Sequence, residues 1–138
     1  MSALDPIPAP RRLTRKPKPA HQVTNLDVMI TRILRHPSIS RYAANNARGV
    51  YCVWLGPLKT GVLILLTPSV EKYGYYDIKI SHTIKTPLQG DAGSRQKWRR
   101  GRTQTDALRR ALHDMLVHYR EAVNAGHTPG EHWLVWQR

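Results

Sequence analysis

Apolar residues recur at helical spacing in two stretches of this chain, form two short strand-like runs, and alternate with polar residues in a third. Leu26, Met29, Ile30, Ile33 and Leu34 form one stripe, with Thr24 and Asp27 at capping-box spacing ahead of it and Pro37 closing it. Ser38 then predicts the cap of a second short helix through about Ala47, ended by Gly49. Val50–Leu55 is β-branched and aromatic, and Val62–Thr67 is continuously apolar, as in a central strand. From Tyr76 to Ile84 apolar residues alternate with polar ones, which predicts a strand with one wet face. Leu108, Ala111, Leu112, Met115, Tyr119 and Val123 predict a long helix over about Gln104–Ala125, with Gly126 just past its end. Trp133–Trp136 reads as a short added strand or a docking tail. The expected fold is α+β: two N-terminal helices, a three-stranded antiparallel sheet, a long C-terminal helix and a possible short fourth strand.

Composition divides the chain in two. Residues 1–22 interleave five prolines with Arg11, Arg12, Arg15, Lys16 and Lys18, and hold few apolar residues. That composition cannot offset its own ordering entropy, so the segment reads as a flexible basic arm. Residues 23–138 read as one domain able to bury a modest core. Cys52 is the only cysteine, which rules out an intrachain disulfide. The longest apolar run, Val62–Leu66, is far short of a membrane span. The expectation is a cytoplasmic protein with no membrane partner, nucleoid-associated or nuclear according to the host.

Charge supplies the strongest functional signal. The formal net charge is +13, and within 95–110 seven cations face Asp106 alone. Arg95, Lys97, Arg99, Arg100, Arg102, Arg109 and Arg110 sit just before and inside the predicted long helix. Guanidinium forks match phosphate oxygens bidentately, and lysine adds a mobile point charge. Trp98 is placed to stack on an exposed base, and Gly101 to let the backbone approach a partner. The helix start after Thr103 would add free amide donors and a positive dipole end. The bland reading of the same residues is a solvated loop whose tryptophan folds onto the core. Tyr73, Tyr75 and Tyr76, grouped around Gly74, read more readily as packed rings than as a stacking surface.

Catalytic signals are sparse. Acids are scattered singly, Asp77 and His82 fall on opposite faces of a regular strand, and Cys52 sits in an apolar strand as inert packing. No cofactor, metal or catalytic residue is expected.

Short stretches resemble known families. Thr24–Val28 with Ser38–Arg41 resembles fragments of the LacI-type DNA-binding headpiece, although Arg32 and Ile33 stand where that family has a small residue and a turn glycine. Leu34–Ile39 resembles a stretch of tyrosine recombinases, without the catalytic residues around it. The later α–β–β–β–α order resembles a double-stranded-RNA-binding domain, with Gly101-Arg102-Thr103 leading into Ala107 and Ala111. There the family's cations lie on the helix, whereas here they precede it and Asp106 intrudes. These resemblances imply nucleic acid, and no family residue is carried over.

The sequence thus predicts a non-enzymatic protein that binds DNA or RNA with weak sequence specificity. Lys97, Arg99, Arg100 and Arg102 lead the contacts, Trp98, Arg109 and Arg110 support them, and Arg11, Arg12, Arg15, Lys16 and Lys18 extend the footprint. The alternative partner is a larger protein or nucleoprotein complex with an acidic surface, which this chain would grip as an accessory, inhibitor or structural subunit.

Overall fold

The computed structural model describes residues 24–90 and 96–137. The arm contacts Arg11, Arg12, Arg15, Lys16 and Lys18, together with Arg95, lie outside these residues.

Helix α1 (Asn25–Leu34) begins at the predicted cap. Asp27 N–H donates to Thr24 Oγ1, and Thr24 N–H donates to Asp27 Oδ2, each at 3.1 Å. Two of the orphan donors at the helix start are thereby satisfied. Asn46 Nδ2 donates to the other Asp27 oxygen at 2.7 Å, which ties α1 to the turn that follows the next element.

That next element corrects the sequence reading. Residues predicted as a second helix form strand β1 (Ile39–Asn45), paired antiparallel with β2 (Val50–Leu55). Asn45, Asn46 and Gly49 are hairpin-turn residues here. Gly49 has φ of +67°, and its carbonyl accepts from Leu66 N–H at 2.8 Å. Cross-strand pairing overrides the helix propensity of Arg41–Ala44. With no second helix there is no helix-turn-helix, and the LacI-type likeness has no structural counterpart.

The sheet is also larger than predicted. It has five strands in the order β1-β2-β3-β4-β6, all antiparallel, with β3 at Val62–Pro68, β4 at Tyr76–Ile80 and β6 at Arg100–Gly101. The predicted strand Tyr76–Ile84 breaks at Ser81. Ser81 N–H donates to Leu63 O and its carbonyl accepts from Gln137 N–H, both at 2.8 Å. The chain there leaves the large sheet for a two-stranded one, β5 (His82–Ile84) with β7 (Leu134–Trp136).

Helix α2 (Gln104–Asn124) crosses the sheet and buries Leu108, Ala111, Leu112, Met115 and Tyr119 against Tyr51, Val53, Leu55, Ile64, Leu66 and Ile78. The opposite face of β2 and β3 leaves Leu63 40% exposed, with Arg41 lying 4.0 Å from the Trp54 ring centroid. Burial pushes the Cys52 thiol up, so it stays a protonated packing group. Among the described residues no helix is long and apolar enough to cross a membrane.

One histidine couples the fold to pH. Ser38 N–H donates to His36 Nδ1 at 3.0 Å, which requires that nitrogen to be unprotonated. Burial, followed by the nearby Arg120 charge, holds this imidazole below its ordinary value. A depressed histidine binds protons in the unfolded chain before it does so in the folded one, so its stability contribution is complete above the unfolded value and is lost as pH falls. The Tm is expected to fall progressively as pH drops below about 6.5, the ordinary histidine value. His36→Asn supplies a non-titrating acceptor for the same turn and should flatten part of that drop in thermal melts.

Candidate nucleic-acid interface

The basic segment enters the fold as the outer edge of the large sheet. Residues 96–99 lead in without regular structure, and β6 then pairs with β4 through Tyr76↔Gly101 and Asp77↔Arg100. Ile78 N–H donates to Arg99 O at 2.8 Å, and Gln96 Nε2 donates to the carbonyls of Ile78 (2.8 Å) and Trp98 (2.7 Å). These bonds fix the backbone so that the side chains project along a sheet edge.

Gly101 explains why the edge lies there. A Cβ on Gly101 would fall 2.4 Å from Ala107 Cα and 2.5 Å from Ala107 N. The close approach that glycine permits is therefore to α2, not to a partner. Gly101→Ala would press rigid backbone against rigid backbone.

The structure separates the predicted contacts. Lys97, Arg99 and Arg102 are exposed and have no ion-pair partner among the described residues. Arg100 differs: its Nε donates to Asp77 Oδ1 at 2.8 Å, and its Nη2 is bonded to Glu71. The Arg100 guanidinium in turn holds the Asp77 carboxyl below the usual carboxylate range. Arg100 thus anchors β6 to β4 and to the loop before it. Arg110 pairs with Asp106 at 3.2 Å and lies 4.6 Å from the Trp98 ring centroid. Trp98, 37% exposed, has one face taken by that guanidinium. Together they wall a pocket of about 450 Å³ completed by Ile84, Met115 and His118. Arg109, next in sequence to Arg110, points away into a different groove bounded by α1.

The start of α2 is occupied by the chain itself. Asp106 N–H donates to Thr103 Oγ1 at 3.0 Å, and the Asp106 carboxylate accepts from Arg102 N–H at 2.9 Å. The donors expected to await a phosphate there are in part capped.

A neighbour that the sequence left as packing completes the site. The loop 69–75 folds back beside β6, with Ser69 N–H donating to Tyr75 O at 2.8 Å and Gly74 at φ of +84°. Lys72 Nζ lies 4.3 Å from the Tyr75 ring centroid, and the Arg102 guanidinium lies 5.9 Å from it. Tyr73 is 98% exposed at the loop tip. The edge therefore runs from Lys97 through Arg99 and Arg102 to a tyrosine with two cations over its ring. In the sequence only the tyrosine cluster marked this loop, and nothing there showed that it meets β6.

Searches of known protein families, curated proteins and solved structures returned no match, so the chain is understood from its own residues.

Proposed function

We propose that this chain is a non-enzymatic nucleic-acid-binding protein that grips phosphates along the β6 edge. Lys97, Arg99 and Arg102 are the leading contacts, with Lys72 joining them at the Tyr75 end. The observation that carries this reading is a row of three exposed cations, free of acidic partners among the described residues, on a backbone fixed by β4. Arg100 belongs to the scaffold of the site, since two carboxylates already neutralise it. Phosphates offer these cations what the chain withholds, acceptor oxygens at a regular spacing. Tyr75 gathers the Lys72 and Arg102 cations at this end of the edge. The basic arm, Arg11, Arg12, Arg15, Lys16 and Lys18, extends the footprint by further phosphate contacts.

Contacts of this kind position a ligand without reading bases, so the affinity is weakly sequence-dependent and strongly salt-dependent. The test is a salt titration with single-stranded and duplex oligonucleotides. Each neutralised phosphate adds about 0.9 to the log–log slope on B-DNA and about 0.7 on single strands. Three edge contacts plus Lys72 predict a slope of about −3.6 on duplex DNA and about −2.8 on single strands before the arm is counted. Binding unaffected by salt, or none in dilute buffer, would overturn the proposal.

A further inference from the structure

Helix α2 carries a second stripe on its flank toward α1, beside the residues it buries against the sheet. Arg109, Leu112, His113, Leu116, Val117 and Arg120 recur at three- and four-residue spacing. Along α1 and just past its end the same spacing joins Met29, Arg32, Ile33 and His36. The two helices pack together, so the stripes face one another across a groove of about 600 Å³. Its floor is apolar and open: Met29 is 44% exposed and Val117 37%. Its rim is four exposed arginines, Arg32, Arg35, Arg109 and Arg120, none ion-paired among the described residues.

Among the described residues no carboxylate lines this groove. Four guanidiniums around one cleft repel one another, and the field they leave is felt inside, where Arg120 adds to the depression of His36. An apolar floor under a cationic rim matches one helix-shaped ligand chemistry, an apolar stripe flanked by acids. A phosphate backbone would meet the rim and leave the floor wet. The chain's own arm has five cations and one acid, so the rim repels it. A second copy, also at +13, is repelled in the same way.

We infer that the α1–α2 groove is a docking site for an acidic amphipathic helix of a partner protein, with its apolar residues over Met29, Ile33 and Val117 and its carboxylates on Arg32, Arg35, Arg109 and Arg120. The site is distinct from the β6 edge and does not depend on it.

The test is fluorescence anisotropy on the full chain. The probe is a labelled peptide of about 18 residues with leucine at i, i+3, i+4 and i+7 and glutamate elsewhere. A scrambled peptide of equal composition is the control. The striped peptide is expected to bind at least about tenfold tighter than the scrambled one. Arg32→Glu with Arg120→Glu should weaken it by a further tenfold or more, roughly the effect of reversing charge beside a desolvated pair. Val117→Asp places a carboxylate on the exposed floor, where folding tolerates it, and should also weaken binding. Replacing Lys97, Arg99 and Arg102 should leave peptide affinity unchanged. Equal binding of striped and scrambled peptides, indifference to Val117→Asp, or no binding would each overturn the inference. So would displacement of the peptide by an oligonucleotide in a chain lacking the β6-edge cations, which would make the groove a phosphate site.

Discussion

Trp133→Ala is expected to destabilise the fold by about 3–5 kcal/mol, the largest loss of any single side chain in the core. The indole is 1% exposed and meets Tyr119 edge to face with centroids 5.8 Å apart. It stands where α2 meets the β5–β7 ribbon, and its carbonyl accepts from Lys85 N–H at 2.7 Å. Truncation leaves a cavity beside Tyr119, between α2 and the ribbon. In a chain of 138 residues such a loss lowers the Tm by on the order of 10 °C. Among the described residues the indole N–H has no acceptor, so it has no hydrogen bond there to lose. Trp133→Phe therefore removes less volume and no satisfied donor, and should cost much less than the alanine change. Urea unfolding of the two variants checks this. A Trp133→Ala loss below about 1 kcal/mol would mean that the ribbon is not docked as described.

The second large effect concerns binding. Replacing Lys97, Arg99 and Arg102 together by alanine is expected to lower oligonucleotide affinity on the order of 100-fold near physiological salt, counting about 1 kcal/mol for each contact. The log–log salt slope should become shallower by about 2 to 3, since each lost phosphate contact removes 0.7 to 0.9. All three side chains are exposed and carry no internal ion pair among the described residues, so the melting temperature should hold or rise slightly. Glu71→Gln is the counter-test. Glu71 is exposed and shares Arg100 with Asp77, so its neutralisation frees part of that guanidinium for a phosphate and should strengthen binding. Electrophoretic mobility or anisotropy titrations across salt concentrations read both effects. An alanine triple variant that binds normally but melts early would place the three cations in the scaffold.

The elements that the sequence disclosed are those whose apolar pattern comes from burial. In α1 and α2 one face is buried, so apolar residues recur at 3.6, while β2 and β3 showed as short apolar runs bounded by turn residues. Strand β1 left no such trace, because only Ile39 of its seven residues is buried and an exposed edge strand needs no alternation. Strand β6 is two residues long and exists because Gly101 fits against Ala107, a contact without a periodic signature. The break at Ser81 is set by a hydrogen bond to Gln137, far along the chain.

The site was legible to the same degree. The cationic run 95–110 stood out by composition, but composition does not show where each charge points. Arg100 finds its counter-ions 23 and 29 positions upstream, in Asp77 and Glu71. Arg109 and Arg110 are adjacent in sequence and point into different grooves, as neighbours on a helix must. Arg32 and Arg35 carry no pattern in the sequence that marks them as a pair with α2. Their meeting with Arg109 and Arg120 required the packing of α1 on α2.

The most direct test of phosphate binding along β6 is a ¹⁵N-resolved NMR titration with a short single-stranded oligonucleotide. The amides of residues 97–102 and 72–75 are expected to shift together and saturate at one stoichiometry, along with the side-chain signals of Arg99 and Arg102. Shifts confined to the α1–α2 groove, with the β6 edge silent, would contradict the account.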